Sequence, residues 1–187
     1  MGFLENILED SPIVAAVKDE SGLEQCVDSP CRVVFVLFGD LNSVPEIVAK
    51  LKASGKTVFV HADLVEGLSA REAAVDYLVK TAQPDGIIST RLPLLRFAKA
   101  KGLHTILRFF LIDSIAMENI TSMKNERCVD MIEVMPGLMP KIVKRVSASC
   151  GKPIIAGGLV TEKSDVVSAL EAGAIAVSST NIGVWSM

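Results

Sequence analysis

Eight short apolar runs, rich in β-branched residues, recur at a steady interval along the chain: "PIVAAVK", "RVVFVLF", "TVFVHAD", "GIIST", "HTILRFF", "DMIEVM", "PIIAGG" and "AIAVSST". Their near-continuous hydrophobicity suits parallel strands buried on both faces, because a half-solvated strand would alternate apolar and polar positions. Segments of helical period separate most of them. In "SVPEIVAKLKASGK", Val44, Ile47, Val48 and Leu51 fall on one helical face, Ser43 stands at the N-cap position and Gly55 closes the helix. "LPLLRFAKAKG" and "LMPKIVKRVSASCG" likewise end on glycines, and "TEKSDVVSALEAG" opens at Thr161 and closes at Gly173. The first crossover, "DESGLEQCVDSP", has room for one or two turns.

Eight strand–helix units in series predict an α/β protein, a compact (β/α)8 TIM-type barrel formed by residues 1–187 as a single domain. The fold usually takes ~250 residues, so short repeats leave little room for long loops. The tail "NIGVWSM" is too short for a full eighth helix, and Trp185 suits either a packed interface or closure of the barrel. An open doubly wound sheet is the structural alternative.

Composition narrows the partners. Half of the residues are apolar and the net charge is -3, so the whole molecule exerts no attraction on a polyanion, and no recognised RNA-binding motif or aromatic stacking platform is present. Cys26, Cys31, Cys128 and Cys150 lie at no metal-ligand spacing and read as reduced thiols in or near a core. The first residues carry Glu5, Glu9 and Asp10 where a secretory signal has cations, and no apolar run approaches the ~18 residues of a membrane span. A cytoplasmic, soluble protein is expected, with no membrane association.

Candidate chemistry gathers where the strands end. Parallel barrels bind ligands at the C-terminal ends of their strands, and here those ends carry Lys18, Asp40, His61, Asp63, Ser89, Thr90, Arg108, Glu133, Gly157, Gly158, Ser178, Ser179 and Thr180. Glycines admit close approach to backbone N–H donors, so the Gly157–Gly158 pair, the helix start after it and the hydroxyls Ser178, Ser179 and Thr180 predict a phosphate site. His61 and Asp63, two apart on a strand, share a face. With Glu133 they form one possible metal set, but a hydrogen-bonded or acid–base pair is the commoner use of such residues. Arg108 interrupts an apolar run and needs an anionic partner: Glu133, Asp113 or a ligand. Glu133 suits the hydroxyls of a polyol. Lys18 fits a carboxylate across the barrel mouth, a nearby anion, or a solvated strand end. The basic runs around Arg96 and Lys144 read as solvated outer faces of helices.

The motifs "VFVHADLVEGLS", "DGIISTR", "LIDS", "DMIEVMPG", "PIIAGGLV" and "GAIAVSST", taken in order, resemble the glycerol-responsive antiterminator proteins of bacteria over essentially the whole chain. "LIDS" departs slightly, standing where a second leucine is commoner. That resemblance implies a compact (β/α)8 barrel that binds glycerol 3-phosphate and acts on leader mRNA to prevent early transcription termination. It implies no catalytic residues, no metal and no cofactor beyond that ligand. Phosphate binding would fall to Gly157, Gly158, Ser178, Ser179 and Thr180, with Lys18, His61, Asp63, Arg108 and Glu133 around the polyol. Homo-oligomers are compatible with this reading. Two alternatives stay open: a small lyase, isomerase or synthase acting on a sugar or polyol phosphate, and a metabolite sensor that signals through a protein partner.

Overall fold

All eight apolar runs are strands. The computed structural model describes residues 3–187. Its strands are β1 (Ile13–Val17), β2 (Val33–Val36), β3 (Thr57–His61), β4 (Gly86–Ser89), β5 (His104–Phe110), β6 (Met131–Met135), β7 (Ile154–Gly157) and β8 (Ala176–Ser179). They pair in chain order and in parallel, and β8 returns to β1 through Val14–Ser178 and Ala15–Ser179, which closes the barrel. The open-sheet alternative is thereby excluded.

The two-residue period of each strand sorts its side chains into two cores. Val14, Phe35, Phe59, Ile88, Ile106, Met131, Ile155 and Ala176 fill the interior of the barrel. Their neighbours Ala15, Val34, Val58, Ile87, Leu107, Ile132, Ala156 and Val177 face outward into the larger core beneath the helices. Phe59 meets Phe35 edge-on, with ring centroids 5.8 Å apart. Gly86 leaves the space that Phe59 occupies, and a Cβ there would also stand 2.6 Å from the His104 carbonyl oxygen.

The helices are α1 (Phe3–Asp10), α2 (Glu20–Val27), α3 (Val44–Ala53), α4 (Glu72–Tyr77), α5 (Leu92–Ala100), α6 (Ser114–Ser122), α7 (Pro140–Ser149), α8 (Lys163–Glu171) and α9 (Ile182–Trp185). The first of them is not a crossover. Leu4, Ile7 and Leu8 of α1 join the interior cluster and plug the end of the barrel where the strands begin. The short first crossover, α2, makes two turns.

Two helix starts differ from the sequence reading. The Ser43 hydroxyl makes no capping bond to α3; it bonds Asp40 instead, whose carboxylate accepts the amides of Asn42 and Ser43. α8 is capped by Glu162, not Thr161, because Asp165 reaches back to accept the Thr161 and Glu162 amides at 3.0 Å each. The single turn α9 stands in for an eighth crossover helix. Trp185 is buried there and its indole N–H donates to the Ser179 carbonyl at 2.7 Å, so it serves barrel closure. All four cysteines are free and buried, and burial pushes the Cys31 thiol up to about 11. Among the described residues no helix is long and apolar enough to cross a membrane.

Candidate ligand-binding site

Paired strands β5 and β6 place Arg108 opposite Glu133, and both side chains turn into the barrel. The Arg108 Nε–H donates to one Glu133 oxygen at 2.6 Å, and the Ser178 hydroxyl donates to the other at 2.6 Å. Glu133 is 1 % exposed and Arg108 8 %. A charge so far from water is tolerable only with such a partner. Of the three partners open to Arg108 in the sequence, the structure selects Glu133.

This trio explains Gly157. A Cβ there would lie 2.5 Å from the Ser178 oxygen and 2.6 Å from a Glu133 carboxylate oxygen. Protein groups, rather than a phosphate, account for the missing side chain. Gly158 has a different cause: its φ of +78° is a conformation that side chains resist, and a Cβ would meet the Met135 methyl at 2.7 Å. Leu159, next in the chain, also has a positive φ of 62° and is 70 % exposed.

A cavity of about 250 Å³ opens beside the trio, lined by Arg108, Glu133, Gly158, Ser178, Ser179 and Thr180 among the residues read from the sequence. Leu37, Met135, Leu159, Thr161 and Asn181 also line it. Leu37 and Met135 continue the inward register of Phe35 and Glu133 by one more step of two, a signal present in the sequence. Ser179 is held by its own structure, its hydroxyl donating to the Val160 carbonyl at 2.7 Å and accepting the Asn181 amide at 3.0 Å.

Residues lining this space carry unused donors. Among the described residues, the amides of Leu159 and Thr180 and the Thr180 hydroxyl make no hydrogen bond in the protein. Arg108 uses only Nε, which leaves the donors of its two terminal nitrogens. At the start of α8, by contrast, the Asp165 carboxylate already accepts the Thr161 and Glu162 amides.

The remaining sequence candidates lie outside the cavity lining. Asp63 turns to the β4 end, where it accepts from the Ser89 hydroxyl at 2.8 Å and from the Thr90 amide and hydroxyl at 2.6 and 2.9 Å. Burial works to raise its carboxyl, but the Thr90 amide and the two hydroxyls outweigh this and hold it below the usual range. It makes no hydrogen bond to His61, so the shared-face pair does not form.

His61 is 3 % exposed and its Nδ1 has no partner. Burial and the nearby Arg108 charge lower it to about 4, against a smaller opposing effect of Asp63. The metal alternative finds no geometry. Both Glu133 oxygens are taken, Asp63 faces elsewhere, and among the described residues no three His, Cys, Asp or Glu converge. Lys18 is exposed and makes neither a hydrogen bond nor an ion pair among the described residues.

Residues 13–185 match the family model described as glycerol-3-phosphate responsive antiterminator. The chain belongs to that family. An Escherichia coli (strain K12) relative, described as uncharacterized protein YgcP, is 41% identical over 184 residues, covering 98% of this chain and 96% of its own. The glycerol uptake operon antiterminator regulatory protein of Listeria monocytogenes superposes with a TM-score of 0.89 at 32% identity, over 94% of this chain and 95% of that one. The antiterminator-related protein of Thermotoga maritima gives 0.82 at 34%, over 94% and 98%. A Coccidioides immitis protein described as a putative deoxyribose-phosphate aldolase superposes with a TM-score of 0.73 over 96% of this chain and 85% of that one, but at 14% identity it shows the barrel fold alone.

Proposed function

We propose that this chain is a regulator of glycerol-utilisation genes, an RNA-binding antiterminator that binds glycerol 3-phosphate in the cavity beside Arg108 and Glu133. Family membership supports the regulatory role, and the unused donors of Leu159, Thr180 and Arg108 support the ligand. Those donors suit phosphate oxygens, which need several N–H and O–H partners at once. The small volume suits a small polyol phosphate rather than a nucleotide. Ligand would favour the RNA-competent state only through higher affinity for that state.

The chemistry of the interior favours sensing over turnover. Among the described residues no lysine is buried, so a Schiff base has no desolvated amine there to start from. Glu133 is engaged by Arg108 and Ser178, and His61, with a value of about 4, is a weak base.

The test is a thermal melt with glycerol 3-phosphate, glycerol and inorganic phosphate in parallel, followed by recovery of the ligand. At ~100 times its dissociation constant the ligand stabilises by ~2.7 kcal/mol. A shift with glycerol 3-phosphate alone, and ligand recovered unchanged, is the expected result. Consumption of the ligand would transfer the site to an enzyme, and no shift would remove the ligand from it.

A further inference from the structure

Exposed apolar side chains are not scattered evenly over this surface. Phe110, Ile112 and Ile115 follow one another at the end of β5 and the start of α6, at 49%, 86% and 64% exposure. They adjoin a groove of about 450 Å³ between α6 and α7, which is lined by Ile112, Met117, Met139 and Ile142 and lies outside the barrel. Apolar surface concentrated in this way marks an interaction face.

The charges beside the groove are sorted by helix. Glu118 is the only charged residue of α6, and Asp113 caps that helix by accepting the Ala116 amide. Lys141, Lys144 and Arg145 are the only charged residues of α7. Among the described residues Glu118, Lys141, Lys144 and Arg145 make no ion pair, although Glu118 and Arg145 line the same groove. Elsewhere such cations are matched: Lys50 with Glu24, Lys52 with Asp85, Arg96 with Glu126, Lys99 with Asp130 and Lys101 with Asp76.

We propose that the α6–α7 groove is the interface for a second copy of this chain, related by a two-fold axis running along the groove. Such an axis lays α6 of each copy over α7 of the other. It sets Glu118 and the Asp113 end against Lys141, Lys144 and Arg145 twice over. A two-fold across the groove would set α6 on α6 and α7 on α7, acid on acid and base on base, so the charges choose between the two packings. Ile112 and Ile115 then leave water. A nucleic acid is the other candidate for α7, but a phosphate backbone would gain nothing from an apolar floor, and Glu118 and Asp113 would repel it. This inference is independent of the identity of the ligand.

The test is the molar mass in solution by sedimentation equilibrium, over a concentration series and with no added ligand. The wild-type chain should be a dimer. Ile115→Lys and Arg145→Glu should each raise the dissociation constant by roughly tenfold or more, with circular dichroism melts of the diluted monomer unchanged because both positions are exposed. The double variant Glu118→Arg, Arg145→Glu should recover the dimer, which no general loss of solubility or folding would do. A wild-type monomer at high concentration overturns the proposal. So does a dimer indifferent to Ile115→Lys and Arg145→Glu, and so does a monomer in which Arg145→Glu removes only RNA affinity.

Discussion

His61 illustrates how one side chain carries the electrostatics of its surroundings. Its imidazole is buried with no partner at Nδ1 and also faces the field of Arg108, so the neutral form is held. The unfolded chain takes up this proton near pH 6.5 and the folded chain only near pH 4. Between those values the unfolded state holds more protons, so acid favours unfolding. Lowering the pH from 6.5 to about 4 should cost roughly 3 kcal/mol through this group, with little contribution to the slope above about pH 7.5. Urea unfolding at a series of pH values should show that slope, and His61→Gln should flatten it. Equal slopes in both proteins would mean that other groups titrate. Little of this was legible in the sequence. Spacing placed His61 and Asp63 on one face, but a short helical turn at Ala62–Leu64 follows β3, and Asp63 goes to Ser89 and Thr90 instead. Gly157 was legible as a place without room, while the occupants of that room, Glu133 and Ser178, come from strands 24 and 21 residues away in the chain.

Elements were read with success that tracks how local their causes are. The strands are legible because each is buried on both faces by its own apolar run. The outer helices α3, α5, α7 and α8 are legible because their apolar stripe repeats over two or three turns. The plug helix α1 is short, and its reason to fold is the open end of a barrel formed by the rest of the chain, which Leu4, Ile7 and Leu8 enter. Its energetic role follows from burial: Leu8 is 1 % exposed among interior side chains. Leu8→Ala should destabilise by about 2–4 kcal/mol, as core truncations do where neighbours cannot collapse into the space. Chemical denaturation would measure this. A loss well under about 1 kcal/mol would mean that α1 detaches readily and that the barrel stands without its plug.

Across the whole molecule, two kinds of ion pair follow opposite physics. The exposed pairs tie one element to the next around half of the barrel, from Lys50–Glu24 through Lys52–Asp85 and Lys101–Asp76 to Lys99–Asp130 and Arg96–Glu126. Each lies in water, where attraction is weak and ordering two long side chains is costly. Arg108–Glu133 is enclosed, with side chains 8% and 1% exposed, and a buried pair is screened far less by salt. Raising KCl from 0.05 to 1 M shortens the screening length from above 10 Å to about 3 Å, so the exposed ladder should fade and the enclosed pair should not. Urea unfolding at the two salt concentrations should therefore give midpoints that differ little. Glu133→Gln, which leaves the Arg108 charge buried without its counter-ion, should lower the midpoint strongly at both salts. A large salt effect in the wild type would assign the stability of the barrel to its surface. A salt-independent loss in Glu133→Gln would measure the cost of an unpaired Arg108 charge beside the candidate ligand cavity.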